Sequence, residues 1–141
     1  MTRPRIQIAV DAHDPHALCR FWAAALDYRI EDHHDQVLAL VDQGLVSLEE
    51  ETVEIDGRRA FATAAACTDP DGTGPRLLFQ TVPEPKTVKD RIHLDLHLEG
   101  GREELVDRLL GLGATKLWDG RQGPQTWVTL ADPEGNEFCV S

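Results

Sequence analysis

The chain has 141 residues, 41% of them hydrophobic, which suits one domain with a buried core. Asp and Glu number 25 against 14 Lys and Arg, so the formal net charge is -11, and no basic cluster offsets it. A surface this negative repels phosphate backbones and anionic membranes, so we expect neither nucleic acid nor a membrane as a partner.

The cysteine pattern and the N-terminal residues indicate the cellular compartment of the protein. Cys19, Cys67 and Cys139 are an odd number without CxxC spacing, which favours a reduced protein over a disulfide scaffold. The N-terminal residues lack the apolar stretch of a signal peptide, and no run approaches the ~20 apolar residues of a membrane span. We therefore expect a soluble, cytoplasmic protein.

The first half begins with a strand and a helix. Residues 5–11 alternate apolar and polar side chains, as a strand does. Residues 14–26 carry an apolar stripe at helical spacing, with Asp14 as N-cap and Pro15 at the first helical position. Residues 43–60 mix an acidic run with alternating apolar residues, which predicts a strand followed by a loop. Further strands are predicted at 28–32, 36–41 and 76–82.

The second half repeats this order. "PEPK" at 83–86 cannot form a strand ladder and predicts a linker. A strand at 91–98, a helix at 101–113 and three short strands follow it. Both halves thus show a β-α-β-β-β order, and "DPDG" or "DPEG" precedes the last strand of each. The sequence predicts two modules, residues 1–83 and 84–141.

The predicted strand 91–98 has two chemically different faces, because successive side chains leave opposite sides of the pleat. The aliphatic face belongs in a core and consists of Ile92, Leu94, Leu96 and Leu98. The other face carries His93, Asp95 and His97, whose imidazoles and carboxylate can bind protons, a metal or a polar ligand.

Several stretches resemble the vicinal oxygen chelate superfamily, which includes glyoxalase I, extradiol dioxygenases, fosfomycin-resistance enzymes and bleomycin-binding proteins. The similarity is nearest to its glyoxalase-like branch of small bacterial domains and covers nearly the whole chain. It implies an α+β fold in which one glyoxalase-like domain, residues 1–141, consists of two βαβββ modules. These form cupped mixed sheets around a central cavity, with helices on the outer face. The matching stretches are 14–26, 75–86, 91–100, 110–114 and 131–140.

The resemblance also implies where a metal would bind. Superfamily metal ligands come from the first and last strands of each module, usually as His, Gln or Glu. The matching positions are Gln7 and Gln80 in the first module and His93 and Cys139 in the second. His93 is a strong donor, whereas the glutamines offer neutral amide oxygens and Cys139 stands where the metalloenzymes have Glu. Either these residues are weak ligands of a divalent metal, or the metal has been lost and they hydrogen-bond an organic ligand.

Two further residues belong to the expected site. Asp95 shares the cup-facing side with His93, as a general acid or base or, alternatively, as a structural carboxylate bonded to a neighbouring strand. Trp127 would provide an aromatic wall for a flat apolar ligand. His97 is expected near the rim of the cup.

Three functions remain open. The missing metal donors and the tryptophans favour a small-molecule-binding protein with a degenerate metal site, similar to the bleomycin-binding branch. The alternative is a lyase, isomerase or dioxygenase that uses His93 with Asp95 or a weakly held metal. The third is a regulatory or structural module with an empty cup. We expect a neutral or cationic organic ligand, because the cup positions include Asp95 but no Lys or Arg, and a homodimer, because open sheet edges invite association.

Overall fold

The computed structural model describes residues 2–141, which divide into two compact units. The first unit runs to Pro83 and the second from Glu84 to Ser141. Each unit has its own sheet and its own buried residues. Among the described residues, no helix combines the length and the apolar character that crossing a membrane requires.

The first unit contains a four-stranded sheet in the order β1-β6-β5-β2 and a separate two-stranded sheet, β3-β4. β1 and β6 are parallel, and the other neighbours are antiparallel. The elements, in chain order, are β1 (Gln7–Ala12), α1 (Pro15–Leu26), β2 (Arg29–Ile30), α2 (His34–Asp42), α3 (Leu48–Glu51), β3 (Thr52–Ile55), β4 (Arg58–Phe61), β5 (Ala64–Thr68) and β6 (Arg76–Thr81).

Helix α1 forms where the sequence predicts it. Asp14 Oδ1 accepts a hydrogen bond from the Ala17 amide at 3.0 Å, and Pro15 lies at a position that needs no N–H donor. The helix ends at Asp27, which is left-handed with φ of 55°. Its apolar stripe contacts β5 and β6 and contains the buried side chains Leu18, Cys19, Phe21 and Trp22.

Two predictions for the first unit are wrong in detail. Residues 36–41 form part of helix α2 rather than a strand, because their apolar residues also fit a helical spacing and Val37 is fully buried. Residues 43–60 contain a short helix and a hairpin. The acidic run Glu49–Glu51 lies in α3, whose N-cap Ser47 accepts from the Glu50 amide, and acidic residues suit a helix start. Asp56 and Gly57, with φ of 50° and 77°, close the hairpin between β3 and β4.

The second unit contains one helix and a three-stranded antiparallel sheet in the order β7-β8-β9. The helix ends at Gly113, whose φ of 118° provides a left-handed cap. Leu109 on the helix and Leu130, Phe138 and Val140 on the sheet are almost completely buried. The elements are α4 (Arg102–Leu112), β7 (Thr115–Gln122), β8 (Gln125–Ala131) and β9 (Glu137–Val140).

Residues 91–98 do not form the regular strand that their alternation predicts. They make one parallel bridge to β9, between Leu96 and Val140, and hydrogen bonds join Leu96 and Leu98 to Cys139 and Ser141. The same parallel arrangement joins β1 to β6 in the first unit. We call residues 91–98 the bridging segment.

The expected core face of the bridging segment is wrong at both ends. Ile92 is 85% exposed and Leu98 is 40% exposed, while Leu94 and Leu96 are half-buried. The bridge to β9 is limited to Leu96, and Leu98 bonds to Ser141 just beyond the end of that strand, so neither Ile92 nor Leu98 is packed into the sheet of this unit. The mixed α+β class itself is confirmed, and residues 2–141 contain four helices and nine strands in open sheets.

The three cysteines are distributed unequally. Cys19 on α1 and Cys67 on β5 are both buried, and both belong to the first unit. The hydrogen bond between these thiols, together with burial, raises the pKa of Cys19. Cys139 on β9 is a half-buried free thiol in the second unit.

Candidate functional site

A cavity of about 630 Å³ opens in the second unit. The bridging segment supplies one set of lining side chains, strands β7, β8 and β9 supply most of the others, and Lys89 and Ser141 lie outside these elements. Its size suits a small organic molecule, since ligand cavities usually measure about 300–1,000 Å³. Four of the six predicted site residues line it, and they are His93, Asp95, Trp127 and Cys139.

His93 and Asp95 form a hydrogen-bonded pair in the cavity wall. His93 Nδ1 lies 2.8 Å from Asp95 Oδ1, and the two side chains are 36% and 34% exposed. An ionised carboxylate can only accept, so the pair requires the proton on Nδ1. Nε2 of neutral His93 is then a hydrogen-bond acceptor.

Asp95 also anchors the bridging segment to the sheet. The amide of Cys139 donates to Asp95 Oδ1 at 3.1 Å. One carboxylate oxygen therefore accepts both from a strand amide and from the His93 ring. Asp95 therefore has the structural contact to a neighbouring strand that the sequence offered as one alternative, and its side chain also lines the cavity.

Two more polar contacts involve residues that line the cavity. His97 Nδ1 lies 2.6 Å from Ser141 Oγ, so the second imidazole of the segment is also fixed. Cys139 Sγ lies 3.4 Å from the hydroxyl of Thr129, which is almost completely buried. The thiol at this position is thus part of a local hydrogen bond.

Trp127 is held against its partner strand. It pairs with Gly120 across β7 and β8, and a Cβ at Gly120 would overlap the indole ring. The ring can approach the backbone this closely because glycine has no side chain. Trp118, which is 48% exposed, also lines the cavity. Sequence reasoning favoured Trp127 and did not foresee the role of Gly120.

The cavity includes charges of both signs. Lys89 lines it, so the expectation that it would contain no Lys or Arg is wrong. Glu137 accepts from Lys86 Nζ at 3.0 Å and from the Asp90 amide at 3.0 Å. Burial raises the pKa of Glu137, but these hydrogen bonds outweigh it and hold the pKa at about 2.

Gln7 and Gln80 do not belong to this cavity, because both lie in the first unit on β1 and β6. In the parallel register Gln7 lies opposite Arg76, while Gln80 lies opposite Asp11. The two glutamines are therefore four rows apart, or about 13 Å along the strands. A single metal ion cannot bind both, since metal–oxygen distances are about 2.0–2.6 Å.

Arg76 instead lies at the centre of a polar cluster in the first unit. Its Nη1 donates to Gln7 Oε1 at 2.7 Å, and its Nε and Nη2 donate to the two carboxylate oxygens of Glu31 at 2.6 Å and 3.0 Å. His33 Nε2 lies 3.1 Å from Glu31 Oε1. The hydrogen bond from Arg76 lowers the pKa of Glu31, against the opposing effect of burial.

Sequence reasoning missed Arg76, although the repeated turn contained a signal. Arg76 follows Asp69 of "DPDG" by seven residues, as Cys139 follows Asp132 of "DPEG". Counted from these turns, Arg76 and not Gln80 stands at the same spacing as Cys139.

The donors at the four predicted metal positions do not fit a divalent ion. Gln7 is bonded to a guanidinium, whose positive charge would repel a metal beside it, and Gln80 is four rows away. In the second unit Asp95 bonds only Nδ1 of His93 and leaves Nε2 open, but Cys139 is the one other predicted ligand there, and two ligands fall short of the usual three or four. Across residues 2–141, no group of three or more His, Cys, Asp and Glu side chains is arranged to hold a metal.

A second cavity, of about 800 Å³, lies in the first unit at the start of α1. His13, His16 and Arg20 line it together with the acidic residues Glu54 and Asp56. His16 Nε2 bonds to the Phe61 carbonyl at 2.8 Å, so this ring has a structural contact.

The fold and the cavity define a class of small mixed α+β proteins, and comparison with known proteins identifies it. The family model described as a glyoxalase-like domain matches residues 7–141. The chain belongs to this family, as the resemblance of its sequence motifs implied. No curated protein sequence matches it.

Solved structures show the same fold at low sequence identity. A glyoxalase/bleomycin resistance protein/dioxygenase family enzyme from Burkholderia phytofirmans has a TM-score of 0.62 at 13% identity, covering 95% of this chain and 94% of that one. A mutant of the fosfomycin resistance protein FosX from Listeria monocytogenes, complexed with Mn(II) and a dihydroxypropylphosphonic acid, has a TM-score of 0.61 at 10% identity, covering 99% and 90%. The bleomycin-binding protein from Streptomyces verticillus, complexed with copper(II)-bleomycin, has a TM-score of 0.55 at 13% identity, covering 100% and 97%.

Proposed function

We propose that the protein binds a small organic molecule in the cavity of the second unit, and that its predicted metal site is degenerate. The observation that carries this proposal is the preorganised wall of the cavity. Asp95 fixes the ring of His93, and Gly120 seats the indole of Trp127. A ligand that binds groups already held in place loses less free energy to ordering them.

The lining residues indicate the chemistry of the ligand. Trp118 and Trp127 suit a flat apolar or aromatic body. Nε2 of neutral His93 accepts a hydrogen bond, so the ligand carries an O–H or N–H donor. Lys86 neutralises Glu137, which leaves Asp95 and Lys89 as the other charges of the lining, and the net charge of -11 on the chain favours a neutral or cationic ligand over an anionic one.

The structural neighbours offer examples of both ligand classes. One was solved with a copper complex of bleomycin, and another with Mn(II) and a phosphonic acid. The poor metal donors at Gln7, Gln80, His93 and Cys139 support a role in which the protein sequesters an organic compound. A divalent metal with an anionic ligand is the competing outcome.

Matched aromatic probes test this proposal. Naphthylmethylamine, naphthylmethanol and naphthoate share one ring system and differ in charge at neutral pH. Titration calorimetry should show the amine or the alcohol binding at least tenfold tighter than naphthoate. His93→Ala should weaken that binding, whereas the exposed His13→Ala in the first unit should leave it unchanged. Tighter binding of naphthoate, or no effect of His93→Ala, would contradict the proposal.

A second candidate is an enzyme of the lyase, isomerase or dioxygenase type, and the His93–Asp95 hydrogen bond favours it. A carboxylate that orients an imidazole makes Nε2 available as a general base. For the proton-transfer branch, α-hydroxy ketones incubated in D₂O should lose the carbon-bound hydrogen next to the carbonyl. Nuclear magnetic resonance detects this exchange, which His93→Ala should abolish. Exchange no faster than in buffer speaks against proton abstraction.

The assembly and location are also proposed. The exposed apolar side chains Val88 and Ile92, at 76% and 85%, support association into a homodimer. Sedimentation at micromolar concentration should show twice the mass of the chain, and a monomer would contradict this. A cytoplasmic location rests on the cysteine pattern and composition alone. We also propose that residues 1–83 and 84–141 are two copies of one module.

A further inference from the structure

The cluster around Arg76 has the composition of a metal site with a guanidinium at its centre. Three oxygen atoms accept hydrogen bonds from this cation: the amide oxygen of Gln7 and both carboxylate oxygens of Glu31. His33 Nε2 lies 3.1 Å from one of these oxygens, so it donates to the carboxylate of Glu31 now and becomes a nitrogen donor for a metal only after releasing that proton. Carboxylate and amide oxygens together with an imidazole are a suitable donor set for a divalent ion such as Mn²⁺.

The position of Arg76 in the sheet supports the similarity between this cluster and a metal site. Gln7 and Arg76 occupy the same row of the parallel pair β1 and β6. The spacing from "DPDG" makes Arg76 the counterpart of Cys139. Arg76 therefore lies directly opposite Gln7, at the position of the last strand that has the same spacing as Cys139.

We propose that Gln7, Glu31 and His33 form a latent divalent-metal site in the first unit, which Arg76 fills with its own positive charge. The guanidinium remains protonated at every physiological pH, and it is covalently attached, so no free ion displaces it. The unit then has a permanent cation that does not depend on the supply of metal.

This inference goes beyond ligand binding in the second unit and does not depend on it. Its residues belong to the first unit alone. It predicts that shortening Arg76 frees the oxygen donors of Gln7 and Glu31. The site should then accept a divalent ion that the wild-type protein rejects.

Binding of Mn²⁺ to Arg76→Ala tests the proposal. Electron paramagnetic resonance measures free Mn²⁺, because the signal of the ion weakens when it binds. Arg76→Ala should bind one equivalent of Mn²⁺ at least tenfold more tightly than the wild type. A matched control is Arg58→Ala, which removes another arginine–carboxylate pair, Arg58 Nε to Asp32 Oδ2 at 2.7 Å, from the same unit. This control should gain no affinity for Mn²⁺.

Two further variants identify the ligands and guard against a folding failure. Adding Glu31→Gln to Arg76→Ala should abolish the gained Mn²⁺ binding. Arg76→Gln retains most of the side-chain volume and serves if Arg76→Ala does not fold. Mn²⁺ should also raise the Tm of the Arg76 variants and leave that of the wild type unchanged. Stoichiometric Mn²⁺ binding by the wild type that Glu31→Gln removes, or no gain in either Arg76 variant, would overturn the proposal.

Discussion

Trp127 lies across the backbone of Gly120, its partner on the neighbouring strand, so closely that no other residue fits at position 120 without moving the indole. The strand pair therefore uses a glycine to seat an aromatic ring that lines the cavity. An aromatic side chain over a strand glycine also covers the backbone that the glycine leaves bare.

Gly120→Ala should displace the indole of Trp127. We expect the tryptophan emission to shift, the affinity for naphthylmethylamine to fall about tenfold, and the unfolding free energy to fall by about 1–3 kcal/mol, as overpacking usually does. Gly111→Ala is the matched control, since Gly111 lies in α4 with open space around it. That change should stabilise the helix by up to about 1 kcal/mol without affecting binding. Equal effects of the two substitutions on binding would argue against this role of Gly120.

His93→Ala should separate binding from stability. The side chain is only partly buried, so its loss should change the Tm little, while ligand binding should weaken by about 1–3 kcal/mol because a polar partner is lost. Leu130→Ala is the contrasting change, since Leu130 is fully buried in the sheet of the same unit. It should reduce the unfolding free energy by about 2–5 kcal/mol. Calorimetry and thermal unfolding measure the two effects, and a reversed pattern would place His93 in the core.

Asp95→Asn tests the tautomer of His93. The amide oxygen of Asn can still accept from Cys139, so the bridging segment should stay attached to β9. The negative charge that favours the Nδ1–H form of His93 is lost, however, and the fraction of the Nε2–H form should rise. Nitrogen chemical shifts of the imidazole report this ratio directly. An unchanged ratio would mean that Asp95 does not set the tautomer.

Glu137 should make the protein sensitive to acid. Its pKa in the folded protein is about 2, below the usual 4.5, because the hydrogen bonds from Asp90 and Lys86 outweigh burial. A lowered folded-state pKa stabilises the fold above pH 4.5, and this contribution is lost as the pH falls from 4.5 towards 2. Glu137→Gln should therefore flatten the dependence of Tm on pH in this range. The exposed Glu99→Gln should leave the wild-type dependence intact, and equal slopes for Glu137→Gln and wild type would refute the link.

Local chemistry made some of the fold predictable. Asp14 and Pro15 start α1 because an N-cap and a helix-compatible proline act within one turn. Residues 36–41 were mispredicted because a short apolar run fits both a buried strand and a helix, and only packing around Val37 decides between them. The alternation in the bridging segment was visible, but its partial pairing with β9 depends on contacts that are distant in sequence.

The candidate site, like the fold, was predictable only where local sequence determines the structure. Alternation correctly groups His93, Asp95 and His97, which all line one cavity. It also groups Arg76 with Gln80, because residues two or four apart on a strand share a face. Which of them lies beside Gln7 depends on the register of two strands about 70 residues apart, and a periodic pattern carries no information about register.

The distribution of the thiols provides separate reporters for the two units. Cys19 and Cys67 are inaccessible in the folded first unit, whereas Cys139 in the second unit is half-buried. Alkylation requires both solvent access and a thiolate. Under native conditions the labelling rate of the first pair therefore measures how often that unit opens, while Cys139 reports on fluctuations of the other. Peptide mapping of pulse-alkylated wild-type protein would thus show whether the two units unfold together or one at a time.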